Sequence, residues 1–585
     1  MTDAAPYQES YYTRLEKLRV QMETERSSFI THYKDLGDFL AVRRVRLSTT
    51  DVNRGDKRYS NILDNTGLLA VRTLRAGMMA GVTSPSRPWF RLTTQDQDVS
   101  ELEAVKVWLH TVTKRMEWVF LKSNLYNSLP IVYGDLGVFA TAAMLIEQDL
   151  TGEVIRTTPL AIGSYCLGQD KKRNVCTLVR DFQMTVRQIV EEFGMEEGSK
   201  VIDWTNISGF VQQQWEQGYR ETWIQVTHII HPNDDWDPDK FAPKYKRYRS
   251  VYYERCVVGQ DKDNFVERNQ KFLSDSGYDR FTLLAPRWEK TGEDVYGTSC
   301  PGMEALGDVK QLQVSEKRIL QAIEKSINPP LTGPSALKST KTSILPGDIT
   351  YNDELEGRKG FRPVYQIDPR INEMEAKQAQ VRERINRAFY ADLFLMLAQS
   401  DRREITAREV EERHEEKLLA LGPVLEQLNA DLLNPLIKIT FGFMKAQGLI
   451  PDMPEEMRGQ PLKIEYVSVM AQAQKLVGIY AIERFTGFIM SMAEAVPEIL
   501  HKFDADQTVD IYGDRIGLDP GVIRTDEAVA QIREGLAKAQ QADATAEALP
   551  KVAGAARDLA AADLEKDSAL KRLTEQSNAG KLVNA

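Results

Sequence analysis

His228, His231, Asp234, Asp235, Asp237 and Asp239 fall within one short stretch, "THIIHPNDDWDPD". Two imidazoles followed by four carboxylates could hold a divalent metal and activate water for hydrolysis. A strand ending in a solvated acidic hairpin turn accounts for the same residues, because spacing alone rarely makes a site. A second charged cluster, Asp401, Arg402, Arg403 and Glu404, reads in a single subunit as a surface loop. In a symmetric ring its weight changes, since every copy would repeat each charge. Other chemistry has no residues to carry it: the chain lacks G-x-x-x-x-G-K-S/T, G-x-S-x-G, H-E-x-x-H and G-x-G-x-x-G.

The elements that must position these clusters are legible from periodicity. Thr406 and Glu409 form a capping box, and Leu418, Leu421, Leu425, Leu428, Leu432, Leu436 and Ile439 then mark one apolar helix stripe, with kinks expected at Pro423 and Pro435. Between cap and stripe, "AREVEERHEEK" offers Val410 as its only large apolar residue, so those turns have no core of their own to enter. Helices are expected over Glu9–Arg44, Asn61–Val82 and Leu102–Ser123, with a strand starting at Trp89–Leu92. "VYGDLGVFATAAMLIEQD" suits a buried helix-to-strand passage, and "MTVRQIVEEFG" an inserted helix. "ETWIQVTHIIHP" and "YRSVYYERCVV" are expected to pair as a hairpin. Helix follows over Met303–Ile327, then a stretch dense in Pro, Gly, Ser and Thr from Asn328 to Pro369, then helix from Ile371 to about Leu397. "PLKIEYVSV" reads as a strand, and the remainder as helix without an aromatic residue from Asp526 onward.

With 585 residues, two to four domains are expected, and 42% hydrophobic and 27% charged residues fit a folded soluble chain. No stretch approaches a membrane span, and "MTDAAPYQESYYTRLEK" lacks a signal-peptide pattern. Cys166, Cys176, Cys256 and Cys300 lie far apart without a C-x-x-C pair, which argues for a reducing compartment rather than disulfides or zinc. A net charge of −10 argues against tight nucleic-acid binding but is compatible with surrounding DNA without gripping it.

Several stretches, taken in order, resemble the head-to-tail connector, or portal, proteins of short-tailed, T7-like bacteriophages. They are "RPWFRLT", "YGDLGVFATAAMLIEQ", "MTVRQIVEEFG", "APRWEKTGEDVYGTSCPGMEALGDVKQL" and "ITAREVEERHEEKLLALGPVLEQLNADLLNPLI". The resemblance runs from about Tyr11 to Leu500. It implies an α+β, predominantly helical subunit without enzymatic activity or cofactor, assembled as a ring, usually of twelve, at one capsid vertex. DNA would enter during packaging and leave during ejection through that ring. Carried onto this chain, it implies a wing over 1–300, a first stem helix over 301–327, a clip over 328–369 and a second stem helix over 370–397. A tunnel loop over 398–405, a return of the wing over 406–470 and a helical crown and tail over 471–585 complete the subunit. Arg402 and Arg403 would contact double-stranded DNA, with Arg384 and Arg387 as weaker candidates. Lys338, Lys341, Asp348, Asp353, Glu354, Arg358 and Lys359 would form a clip rim for partners. The implied partners are the terminase large subunit, the tail adaptor and tail proteins, and the major capsid and scaffolding proteins, with no membrane. Assembly in the host cytoplasm would precede residence in the virion. The alternatives from other classes are a metal-dependent hydrolase using His228 and His231, and another structural virion protein such as a tail-tube or minor capsid subunit.

Overall fold

A computed structural model describes residues 11–46, 60–96, 99, 102–150, 152–195, 201–255, 272–332, 362–363, 371–399, 421–467, 479–493, 502–516, 524 and 529–539. The chain divides into two compact units, Met1–Val477 and Gly478–Ala585.

In the first unit, helices α1 (Tyr11–Leu40), α2 (Thr66–Val82), α3 (Glu103–Lys122) and α4 (Leu125–Phe139) precede most of the strands. Helices α5 (Val186–Phe193) and α6 (Gly209–Glu216) interrupt the strands, and α7 (Pro301–Ile327), α8 (Ile371–Ala388), α9 (Ala391–Gln399) and α10 (Asn434–Ala446) follow. Strands β4 (Tyr165–Gln169), β5 (Val175–Thr185), β6 (Trp223–Pro232), β7 (Tyr248–Glu254) and β8 (Ser274–Tyr278) form an antiparallel sheet in sequence order. The expected hairpin is present, with His228 opposite Tyr252. Both faces of this sheet are covered, following the two-residue alternation of strand side chains. Ile224 and Val226 pack with Val186, Ile189 and Val211 of α5 and α6, whereas Ile229, Val251 and Tyr253 pack with Leu15 and Met22 of α1. Helix α5 starts where the sequence places it, because Thr185 and Gln188 close a capping box.

The main core joins distant segments. Strand β1 (Phe90–Thr94) pairs with β10 (Leu462–Tyr466), so Phe90 lies directly opposite Tyr466, from the far end of the unit's sequence. Strand β2 (Met144–Asp149) pairs with β3 (Val154–Pro159) and with β9 (Leu283–Leu284). Helix α4 ends at Ala140, whose φ of 58° is left-handed. The segment 286–302 clasps that turn. Trp288 N donates to the Ala140 carbonyl (2.8 Å), Ala142 N to Pro286 O (3.1 Å), and Gly297 N to Thr141 Oγ1 (2.8 Å). Arg287, fully buried, donates to Asp431 (3.2 Å) and to the Arg173 carbonyl (2.9 Å), while Lys290 also reaches Asp431 (3.2 Å).

Two departures from expectation have physical causes. The helix after Ile371 is not continuous: it breaks at Phe389–Tyr390, where Tyr390 has a φ of 54°, before α9 resumes. Neither Gly nor Pro marks that break; Phe394 of α9 instead sits where a Cβ on Gly77 of α2 would be, an apolar socket that draws the chain off its helical path. The helix through residues 421–446 widens into a π-turn at Asn429–Leu433 just before Pro435. Proline has no N–H for Asp431 and needs room for its ring, which the wider turn provides. The expected stripe of Leu421, Leu425, Leu428, Leu432, Leu436 and Ile439 is buried. Leu418 and the turns from Thr406 to Lys417 lie outside the described residues.

In the second unit, α11 (Ile479–Ala493) and α12 (Ala505–Ile516) meet through Tyr512, which donates to Glu483 (2.7 Å). Among the described residues no helix is long and apolar enough to cross a membrane.

The clasp makes a paired prediction. A Cβ at Gly302, in the first turn of α7, would lie 2.6 Å from the Val138 carbonyl oxygen, whereas one at Gly307 would meet nothing within 4 Å. Gly302→Ala should destabilise the fold by about 1–3 kcal/mol. Gly307→Ala should be neutral or stabilise it by up to about 1 kcal/mol. Denaturant unfolding of both variants beside the parent checks the contrast.

Candidate functional site

The imidazoles and carboxylates of "THIIHPNDDWDPD" do not converge. His228 and His231 are three residues apart on one strand, so they point to opposite faces of the sheet. His228 is fully buried and stacked on Tyr252, with ring centroids 3.8 Å apart. Arg180 Nε donates to its Nδ1 (2.9 Å), so Nε2 carries the proton and donates to Ser250 Oγ (2.9 Å). Burial, and secondarily the Arg180 guanidinium, hold this imidazole well below its ordinary range. Both nitrogens are occupied, as in a neutral core histidine. His231 Nε2 faces the Tyr11 hydroxyl at 2.8 Å. Asp234 and Asp235 lie near Arg14 and Arg249, and Asp237 pairs with Lys240 (2.9 Å) and accepts from Asp239 N (3.1 Å). Among the described residues no three His, Cys, Asp or Glu gather as a metal would require. The hydrolase alternative is therefore corrected: these residues are a core histidine, a half-buried histidine at the end of the central strand β6, and an acidic turn.

The other candidates lie on or beside the paired helices α7 and α8. Leu306, Val309, Leu312 and Ile319 of α7 and Val381 and Ile385 of α8 are buried. Polar contacts fix their register. Gln378 donates to Glu316 (2.8 Å), and Arg382 donates through both Nε and Nη2 to Asp64 Oδ2 (3.0 and 2.9 Å). Arg384 forms a fork on Asp308, Nε to Oδ2 at 3.0 Å and Nη2 to Oδ1 at 2.6 Å, and this hydrogen bonding holds the Asp308 carboxyl below its usual range. Arg387 pairs with Glu383 one turn back (2.9 Å) and stays exposed. Each guanidinium thus carries a carboxylate partner, which leaves the helix surface near neutral there.

Where the helix pair opens, Leu331–Thr332 pairs antiparallel with Arg362–Pro363, so the intervening chain leaves and returns at one place. Lys338, Lys341, Asp348, Asp353, Glu354, Arg358 and Lys359 lie outside the described residues, as do Arg402 and Arg403 between α9 and residue 421. Sequence reasoning missed two structural positions that matter to this region, Tyr390 and the buried Arg287–Asp431 pair. An arginine inside the apolar–aromatic run "APRWEK" was the one available signal for the latter.

Residues 12–523 match the family model described as "Bacteriophage head to tail connecting protein". A portal protein of Salmonella phage epsilon15 is 47% identical over 529 residues, covering 90% of this chain and 92% of that protein. A probable portal protein of Bordetella phage BPP-1 is 43% identical over 554 residues, covering 95% and 96%. The chain belongs to the bacteriophage head to tail connecting protein family.

Proposed function

We propose that this chain is the portal subunit of a virion, assembled as a ring of twelve at one capsid vertex. Double-stranded DNA passes through the ring during packaging and ejection. The observation that carries this reading, beside family membership, is apolar surface that one subunit leaves in water. Val314, Leu320 and Ile327 of α7 are exposed, as are Phe485, Phe488 and Met490 of α11. Neighbouring copies around a ring would cover both faces. The subunit divides into a wing (1–300 and 406–470), two stem helices (301–327 and 370–397), a clip (328–369), a tunnel loop (398–405) and a crown with its tail (471–585). It performs no chemistry of its own; a separate terminase supplies the energy of packaging.

The acidic balance serves conduction. A duplex that must slide needs sparse, weak contacts, because each phosphate neutralised adds affinity and drag. Arg402 and Arg403 of the tunnel loop contact the phosphate backbone as DNA passes, without reading sequence. Screening over about 8 Å at physiological salt confines such contacts to residues close to the duplex. Arg384 and Arg387, already paired with Asp308 and Glu383, make the weaker contribution. The five glutamates and three basic residues between Arg408 and Lys417 pair across subunit boundaries, which explains turns that have no core of their own.

The clip begins and ends beside the stem helices and carries Pro329, Pro330, Pro334, Pro346 and Pro363, which stiffen it, and Gly333, Gly347, Gly357 and Gly360, which permit tight turns. Its mixed-charge rim, from Lys338 and Lys341 through Asp348, Asp353 and Glu354 to Arg358 and Lys359, binds the terminase large subunit during packaging and the tail adaptor afterwards. Capsid and scaffolding proteins meet the outer surface, assembly takes place in the host cytoplasm, and the finished ring resides in the virion.

Two tests follow. Changing Arg402 and Arg403 together to Glu should leave rings intact but lower packaged or retained genome at least tenfold; normal infectious yield would remove the loop's role. Deleting Pro334 to Gly357 should leave rings intact and abolish tail-adaptor binding in a pull-down, and undiminished binding would refute the clip assignment.

A further inference from the structure

Arg180, His228 and Tyr252 lie directly opposite one another on the adjacent strands β5, β6 and β7. Their side chains form one row across the middle of the five-stranded sheet. On the same face of β6, Ile224 and Val226 belong to the apolar cluster under α5 and α6, and Ile230 belongs to the main core. His228 therefore occupies the seam between two apolar clusters. Arg180 donates through Nε to His228 Nδ1 (2.9 Å) and through Nη2 to the Tyr252 hydroxyl (3.2 Å), both neutral acceptors. The carboxylate that acts on this guanidinium is the half-buried Glu147 of β2, which also feels Glu192 of α5 and Arg156 of β3. Tyr278 of β8 is the other titratable group beside Tyr252.

A guanidinium N–H can only donate, so its bond to His228 requires a lone pair on Nδ1. The other ring nitrogen is taken by Ser250 Oγ (2.9 Å). A protonated ring would turn Nδ1–H against Arg180 Nε–H, breaking that bond and setting two cations in contact where the imidazole has no access to water. We propose that this row is an acid-sensitive device: an imidazolium at His228 is incompatible with the closed sheet, so acid loosens β5–β7 while the α7–α8 pair holds. Burial, and then the Arg180 charge, keep the folded imidazole neutral to well below its ordinary value of 6.5. The opened chain takes up a proton near pH 6.5 that the closed sheet refuses. The closed state is thus fully favoured above that pH, and its opening equilibrium grows about tenfold per pH unit below it. His231, lowered chiefly by burial, adds in the same direction. Glu147, raised by burial, has the opposite sign: its contribution is present in acid and lost as pH rises through its folded value. Hydrogen bonding from Arg384 holds Asp308 below the ordinary carboxyl range, so that tie between α7 and α8 stays complete through the window in which His228 acts.

The test is amide hydrogen exchange of the whole protein at pH 7.5 and 5.5, corrected for the intrinsic pH dependence of exchange. Peptides from β5, β6 and β7 should open more at pH 5.5, and those from α7 and α8 should change less than about twofold. In His228→Gln the side-chain amide can accept from Arg180 and donate to Ser250 without titrating. The ratio of openings at the two pH values should be about tenfold smaller in that variant than in the parent, a comparison that cancels the contributions of His231 and Glu147. Should His228→Gln fail to fold, exchange of the histidine C2 hydrogens in the unaltered protein decides, because its rate follows imidazolium formation. His228 should then show no titration between pH 7.5 and 5.5. Parent protein whose β5–β7 peptides open no more at pH 5.5 than at 7.5 overturns the device. So does a His228→Gln protein with the parent's ratio, a His228 that titrates at its ordinary value, or equal opening of α7 and α8.

Discussion

The left-handed turn at Ala140 and the segment that clasps it determine where the long helix α7 begins and which way it points. Four groups close the clasp: the Ala140 carbonyl, Thr141 Oγ1, the Val138 carbonyl, which receives the Cys300 thiol at 3.2 Å, and the backbone of Gly302 packed against Val138. Each buried hydrogen bond contributes about 0.5–1.5 kcal/mol net, yet leaving one partner unmade costs about 1–3 kcal/mol. That asymmetry makes each loss at the junction costly. Arg287 and Asp431 extend it to the helix 421–446, so the N-terminal half of the unit, α7 and the returning chain meet at one buried point.

Helices α7 and α8 are held in fixed register, and the chain beyond them is held differently. The structure divides these tasks between kinds of interaction. Apolar side chains of α7 and α8 face each other, the Gln378–Glu316 hydrogen bond and the fork of Arg384 on Asp308 tie the two helices, and Arg382 ties α8 to Asp64 just ahead of α2. Beyond Tyr390 the chain depends on Phe394 seated against Gly77, a contact of shape alone. Directional polar contacts therefore secure the pair α7 and α8, and a non-directional one secures α9.

Much of this was legible in the sequence because it is local. The span of α7 follows from its apolar spacing, α5 from the run "MTVRQIVEEFG", and the β6–β7 hairpin from alternation of Ile224, Val226, His228 and Ile230. What was not legible is non-local. "PLKIEYVSV" announces a strand, but nothing in its pattern names Phe90–Thr94 as partner. The break at Tyr390 has no Gly or Pro signal, because its cause lies on α2 at Gly77. The histidine–aspartate cluster misleads for the same reason. Only the register shows that His228 faces Arg180 and Ser250 on one side of the sheet while His231 faces Tyr11 of α1 on the other.

The function proposed for this chain depends on the closed ring, and the most direct test is to image the purified protein by electron microscopy and weigh the particles in solution. The account predicts annular particles with a central channel and a mass near twelve times 66.4 kDa. Protein that remains monomeric at micromolar concentration across low and high salt would contradict it.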